Sequence, residues 1–209
     1  MSDMEARISR LRMVPVIKLD RVRDAIPLAE ALSKGGLPVA EITFRTEAAE
    51  ESIRRVAKEF PNLLVGAGTV VAVEQAKRAS DAGAQFIVSA GFSREVVAHC
   101  VENKLPVYPG VCTPSELMWL LEYGLEVAKF FPAAAYGGLK TIKALAAPFP
   151  MMRFIPTGGI SEKNVLEYLA FDRIIACGGS WMVKDTLIAE GKFDEIEKLV
   201  AQAVELVKR

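Results

Sequence analysis

Short apolar runs alternate with amphipathic stretches along the whole chain, each pair separated by a turn or a polar cap. Residues 14–18 read as a first strand and 20–34 as a helix that stops at Gly35-Gly36, where glycine favours a helix C-terminus. The pattern then repeats, with strands at 39–44, 63–67, 85–89, 106–108, 126–130, 153–156 and 173–177. Between them it predicts helices at 46–59, 73–82, 94–103, 114 onward, 139–146 and 162–170, and a last one at 193–207. Ser93 and Ser161 are placed as N-caps. Thr113-Pro114-Ser115-Glu116 combines a capping box with proline at the first helical position. Residues 2–12 form a further amphipathic helix, with Met4, Ile8 and Leu11 on one face.

Eight strands, each followed by a helix at near-even spacing, predict a (β/α)8 barrel in the α/β class. The strands read as continuous apolar runs, as strands buried on both faces do. With no linker or low-complexity segment, residues 1–209 are expected to form one barrel domain, with 1–13 as an N-terminal helix. A doubly wound open sheet is the competing architecture. It wants a glycine-rich fingerprint after its first strand, and Lys18-Leu19-Asp20 offers none.

Composition narrows the functional classes. The 209 residues are 51% hydrophobic, enough for a large core, and the 26 basic and 26 acidic side chains leave no net charge. No basic stripe points to nucleic acid, and no apolar run reaches the roughly 18 residues of a membrane span. The three cysteines, Cys100, Cys112 and Cys177, are widely spaced, which suits a reducing cytoplasm better than a disulfide framework. His99 is the only histidine, so a histidine-based metal site is disfavoured and no metal is expected.

Barrel chemistry belongs at the C-terminal ends of the strands, and the polar and glycine-rich residues fall there. Lys129 lies in the apolar run Val127-Ala-Lys-Phe-Phe-Pro132. It either snorkels to solvent or sits buried, where desolvation favours the free amine and makes it a nucleophile toward a ketone. Glu41 and Thr43 share one face of the second strand. An inward Glu41 beside an inward Lys129 is a buried salt bridge or a general acid/base next to that amine. Arg45 at the strand exit suits a carboxylate ligand, or else a surface ion pair with Glu47 or Glu50. Thr69, after Gly66 and Gly68, is a helix cap or a second donor to the same carboxylate. Thr157-Gly158-Gly159 and Gly178-Gly179-Ser180 follow the last two strands, where backbone amides make a phosphate site in this fold.

These motifs resemble the class I 2-keto-3-deoxy-6-phosphogluconate (KDPG) and 4-hydroxy-2-oxoglutarate (KHG) aldolases. The landmarks are Glu41-Ile-Thr-Phe-Arg-Thr46, Val65-Gly-Ala-Gly-Thr-Val70, Gly83-Ala-Gln-Phe86, Tyr108-Pro-Gly-Val111, Lys129-Phe-Phe-Pro132, Phe154-Ile-Pro-Thr-Gly-Gly-Ile160 and Gly178-Gly-Ser-Trp181. The resemblance implies that Lys129 forms a Schiff base with the C2 ketone and that Glu41 is the acid/base, acting through a water. It implies that Arg45 and Thr69 hold the substrate carboxylate, that Phe131 walls the pyruvyl pocket and that Thr157 touches a substrate hydroxyl. Gly158, Gly159, Gly179 and Ser180 then take the phosphate. It further implies a homotrimer with no cofactor, acting on a keto-acid phosphate in carbohydrate metabolism.

Two departures from the family pattern bear on substrate preference. Ser89-Ala90-Gly91 stands where Ser-Pro-Gly is usual, and Phe131-Pro132-Ala133-Ala134 where Phe-Pro-Ala-Glu is usual. The first loosens a turn near the pocket and the second removes a carboxylate at its mouth. Alternatives are an aldolase for the galactonate epimer, another phosphate-binding barrel enzyme such as a thiamine phosphate synthase-like transferase, and a silent sugar-phosphate-binding protein.

Overall fold

Residues 2–208 are described in the computed structural model. The barrel opens with α1 (Asp3–Leu11), capped by Ser2 and Glu5 in a capping box, and β1 (Met13–Ile17). A 3-10 turn, Val22–Asp24, precedes α2 (Ala25–Lys34), and β2 (Val39–Thr43) and α3 (Ala48–Glu59) follow. Next come β3 (Leu64–Gly68), α4 (Val73–Asp81), β4 (Ile87–Val88) and α5 (Arg94–Glu102). The fifth barrel strand is split into β5 (Val107–Tyr108) and β6 (Gly110–Val111), and α6 (Pro114–Glu122) follows it. The chain ends with β7 (Val127–Phe130), α7 (Gly138–Ala146), β8 (Arg153–Pro156), α8 (Val165–Leu169), β9 (Cys177–Gly179), α9 (Asp185–Ala189) and α10 (Phe193–Val207).

Every strand pair is parallel. One ladder runs β5-β4-β3-β2-β1-β9 and the other β6-β7-β8. Two features close the ring. Parallel bridges Phe154–Ile174 and Thr157–Gly178 join β8 to β9. At the other seam only Pro109 separates β5 from β6, and its carbonyl accepts the Lys129 amide at 2.9 Å. Proline has no N–H to give a ladder, so the strand changes partners there. The fold is a (β/α)8 barrel with an added N-terminal helix, as the alternation predicts.

The core sits inside the barrel and between barrel and helices. All five residues of β2 and of β3 are buried, which is why these strands read as apolar runs. Burying each Leu, Ile or Val side chain contributes about 1.5–3 kcal/mol. Ile8 of α1 is fully buried at the N-terminal end of the barrel, with Met4 and Leu11 packed beside it, which is the apolar face expected of that helix. The Thr113 capping box forms: its hydroxyl accepts the Glu116 amide at 3.3 Å and Glu116 accepts the Thr113 amide at 2.8 Å.

Besides the split of the fifth strand, expected whole at 106–108, four elements differ from the sequence reading. The helix expected at 20–34 begins later, because Arg21 ties down Asp24 at 2.7 Å in the preceding turn. The helix expected after Ser161 begins at Val165. The Ser161 hydroxyl accepts the Lys163 amide in the turn before it, so it is not that helix's cap. The eighth strand falls at Cys177–Gly179 rather than 173–177. Ile174, Ile175 and Ala176 are buried, but the ladder with β1 starts at Met13–Cys177: the apolar run marks burial, and the ladder lies downstream of it. Finally, α9 is absent from the expectation.

Candidate active site

Lys129 points into the barrel from β7, with only 5% of its surface exposed, and Glu41 points in from β2 at 3%. The Lys129 ammonium donates to Glu41 Oε1 at 3.1 Å. Two long side chains from strands 88 residues apart thus meet in the interior, which decides against a solvent-snorkelling lysine. The Lys129 Nζ also lies 5.3 Å from the centroid of the Phe131 ring. Room for the glutamate comes from Gly68 of β3: a Cβ there would stand 2.3 Å from Glu41 Oε1.

Arg45 leaves the end of β2 and is fixed by Thr43. The Thr43 hydroxyl donates to the Ile17 carbonyl at 2.8 Å and accepts from Arg45 Nε at 3.0 Å. Among the described residues Arg45 makes no ion pair. Glu50 is taken by Arg54 and Arg78 instead, so the surface pair with Glu47 or Glu50 does not form. The guanidinium remains available to a ligand. Thr43 was legible only as a neighbour of Glu41; its part in holding Arg45 needed the fold.

Beyond these residues opens a cavity of about 560 Å³. Arg45, Phe131, Thr157, Gly158, Gly159, Gly179 and Ser180 all line it, so seven of the residues singled out from sequence come together there. Gly158 (φ +97°) and Gly159 (φ +78°) both adopt left-handed backbone that a side chain would strain. A Cβ on Gly179 would meet the Trp181 ring at 2.1 Å. Lys184 and Asp185 stand at the rim and carried no signal in the sequence. A second, inner cavity of about 10 Å³ lies below, lined by Glu41 and Lys129 among others, and Thr157 borders both.

Thr69 is the one predicted site residue that lines neither cavity. It follows Gly68 directly, is half-buried, and holds a left-handed backbone at φ 56°, uncommon for threonine. It does not cap α4, whose N-cap is Ala72. The Ser89-Ala90-Gly91 turn is tied by the Ser89 hydroxyl, which donates to the Gly91 carbonyl at 2.7 Å. Ala134 is exposed beside Gly159, with its amide donating to the Gly158 carbonyl at 3.0 Å. The Phe131-Pro132 peptide is cis.

A groove of about 730 Å³ at the opposite end, lined by Arg10, Arg12 and Arg153 among others, contains none of the predicted site residues. Among the described residues no group of three or more His, Cys, Asp or Glu could hold a metal ion. No helix there is long and apolar enough to cross a membrane.

The structure thus sets a paired lysine and glutamate inside a parallel barrel, below a glycine-rimmed pocket. The sequence model of the KDPG and KHG aldolase family matches residues 4–199. The chain belongs to this family. It is therefore an aldolase, a carbon–carbon lyase. A 2-dehydro-3-deoxy-phosphogluconate aldolase of Treponema pallidum is 48% identical over 200 residues, covering 96% of this chain and 95% of the relative. Among solved structures, KDPG aldolase of Legionella pneumophila superposes with a TM-score of 0.93 at 39% identity, covering 96% of this chain and 98% of that one. That crystal structure holds pyruvate captured at low pH as a covalent carbinolamine intermediate. The KDPG aldolase of Zymomonas mobilis, with 3-phosphoglycerate, gives 0.90 at 39% identity, covering 98% and 96%.

Proposed function

We propose that this aldolase cleaves 2-dehydro-3-deoxy-6-phosphogluconate to pyruvate and glyceraldehyde 3-phosphate through a Schiff base on Lys129, and 4-hydroxy-2-oxoglutarate to pyruvate and glyoxylate. The observation that carries this reading is the buried contact of Lys129 Nζ with Glu41 at 3.1 Å, beneath the pocket of about 560 Å³. The relatives' names and the bound pyruvate and 3-phosphoglycerate of the two structures support the substrate class.

Passing a proton from Lys129 to Glu41 leaves a neutral amine and a neutral acid, which a buried site holds without separated charges. The amine attacks the C2 ketone, and the resulting carbinolamine loses its hydroxyl as water with the proton that Glu41 holds, which gives an iminium and restores the Glu41 carboxylate. Glu41, directly or through a water, takes the C4 hydroxyl proton as the C3–C4 bond breaks. The bonding electrons pass into the iminium, leaving an enamine, and glyceraldehyde 3-phosphate departs. A proton returned to C3 and hydrolysis release pyruvate and the free amine. Arg45 pairs with the substrate carboxylate, with Thr69 as a second donor, and Phe131 walls the pyruvyl end. Thr157 meets a hydroxyl, while the amides of Gly158, Gly159, Gly179 and Ser180 face the phosphate. No resident metal or organic cofactor enters the scheme.

We also carry over from the family a single-domain chain assembled as a homotrimer, acting in the cytoplasm in the Entner–Doudoroff route. The test is pyruvate release from three purified substrates: the phosphogluconate-derived keto acid, its galactonate epimer, and hydroxy-oxoglutarate. Fastest turnover of the first is expected. Preference for the epimer, or no pyruvate from any, would overturn the assignment.

A further inference from the structure

Three charged side chains line the outer cavity: Arg45, Lys184 and Asp185. Arg45 is held by Thr43 at 3.0 Å and serves the keto-acid end in the scheme above. The charge of Asp185 reaches Lys18 at the end of β1. There the Asp20 hydrogen bond at 2.8 Å, with Asp185 behind it, pushes the Lys18 ammonium above its ordinary value. Lys184 belongs to no step described so far. It is exposed, and its ammonium makes no ion pair among the described residues. Its backbone, by contrast, is tied down. The Val183 amide donates to the Ser180 carbonyl at 3.0 Å, which closes a turn, and Met182 and Val183 are fully buried beneath it. On the far side the Ile188 amide donates to the Lys184 carbonyl at 3.2 Å. The turn thus returns Lys184 to the cavity that Gly158, Gly159 and Gly179 line. Ala134, beside Gly159, adds only a methyl group and no charge.

We propose that Lys184 is a specificity-determining residue, pairing with the distal phosphate of the substrate and so favouring phosphorylated keto acids over 4-hydroxy-2-oxoglutarate. The idea rests on the aldolase reading of the site given above. Both substrates share the 2-keto acid end, which Lys129 and Arg45 take in that reading. They differ in where the second anion lies. In hydroxy-oxoglutarate it is a carboxylate directly attached to C4. In the phosphorylated substrate it lies beyond C5, C6 and a bridging oxygen. A molecule anchored at C2 on the buried Lys129 therefore carries its phosphate to the rim, while the carboxylate stops short of it. The phosphate brings about −1.5 to −2 charges at neutral pH. Backbone amides of the glycine loops orient such a group but bring no net charge. Lys184 supplies a mobile point charge on a fixed backbone, able to swing onto the phosphate once it has docked.

The test is Lys184→Gln in the full chain, with kcat and KM measured on both substrates. Losing one hydrogen bond to a charged group predicts a fall of about ten-fold in kcat/KM for the phosphorylated substrate. The fall should enter through KM with kcat held, because the contact is the same before and during bond cleavage. Hydroxy-oxoglutarate kinetics should stay in place, and Lys184→Arg should restore most of the loss. Added salt should erode the native preference and leave that of Lys184→Gln nearly flat. Equal falls on both substrates, or none on either, overturn the proposal. Calorimetric titration with inorganic phosphate decides the matter without turnover. Binding to Lys184→Gln should be about ten-fold weaker than to the native chain, whereas equal affinity, or no binding by either, contradicts the pairing. The two readings fail separately. A native chain that releases no pyruvate from either substrate sinks the aldolase reading, whereas normal native turnover with unchanged Lys184→Gln kinetics sinks this one alone.

Discussion

Glu41 has two jobs in the proposed scheme, and one substitution separates them. As the partner of Lys129 it satisfies a buried ammonium; as the proposed acid/base it would move the C4 hydroxyl proton. Glu41→Gln keeps the shape and a hydrogen-bond acceptor while removing the charge. Turnover should fall by about 10²- to 10⁴-fold, the range for a lost general base. Steady-state cleavage rates with a melting curve alongside check this; a change under three-fold would show that the proton goes elsewhere. The residues themselves were largely legible. A lysine in an apolar strand and a glutamate alternating with a threonine are visible in one dimension. Their contact is not, because it depends on which strands face each other across the barrel. Arg45 was ambiguous for a similar reason: only the fold shows Glu50 already engaged by Arg54 and Arg78.

At the scale of elements, the strands supply room as much as side chains. Gly68 ends β3 where Glu41 crosses the interior, and a methyl group there would stand 2.3 Å from Oε1. Gly68→Ala should therefore displace the glutamate, costing about 1–3 kcal/mol of stability by overpacking. Misplacing the acid/base in this way should lower kcat by about 100-fold. Gly91→Ala is the control, since nothing lies within 4 Å of the added Cβ, and it should leave rate and melting midpoint unchanged. Equal activity of the two variants would contradict the account. Boundaries were the weaker part of the sequence reading. The split at Pro109 and the late start of β9 are ladder properties, set by which neighbours offer carbonyls and amides. Hydrophobicity reports burial and misses them. The short α9 gave no periodic signal within five residues.

The whole molecule keeps its thiols for packing. Burial pushes the Cys177 thiol up to about 12 and Cys100 up to about 11, from an ordinary value of 9.0. Between those limits the unfolded chain gives up protons that the folded protein retains, so stability should fall as pH rises above 9.0. At about pH 8 a thiol reagent should label only half-buried Cys112 in the native protein and all three cysteines after denaturation. Rapid labelling of all three in the native state would show a looser barrel. The barrel order itself was legible because eight strand–helix units share one period, and the glycine-rich loops fall where the last two strands end. The central claim is the Schiff base, and intact mass after incubation with pyruvate and borohydride tests it most directly. The native chain is expected to gain one reduced pyruvyl group, and folded Lys129→Ala none. No adduct on the native chain, or the same adduct on the variant, would contradict the assignment of Lys129.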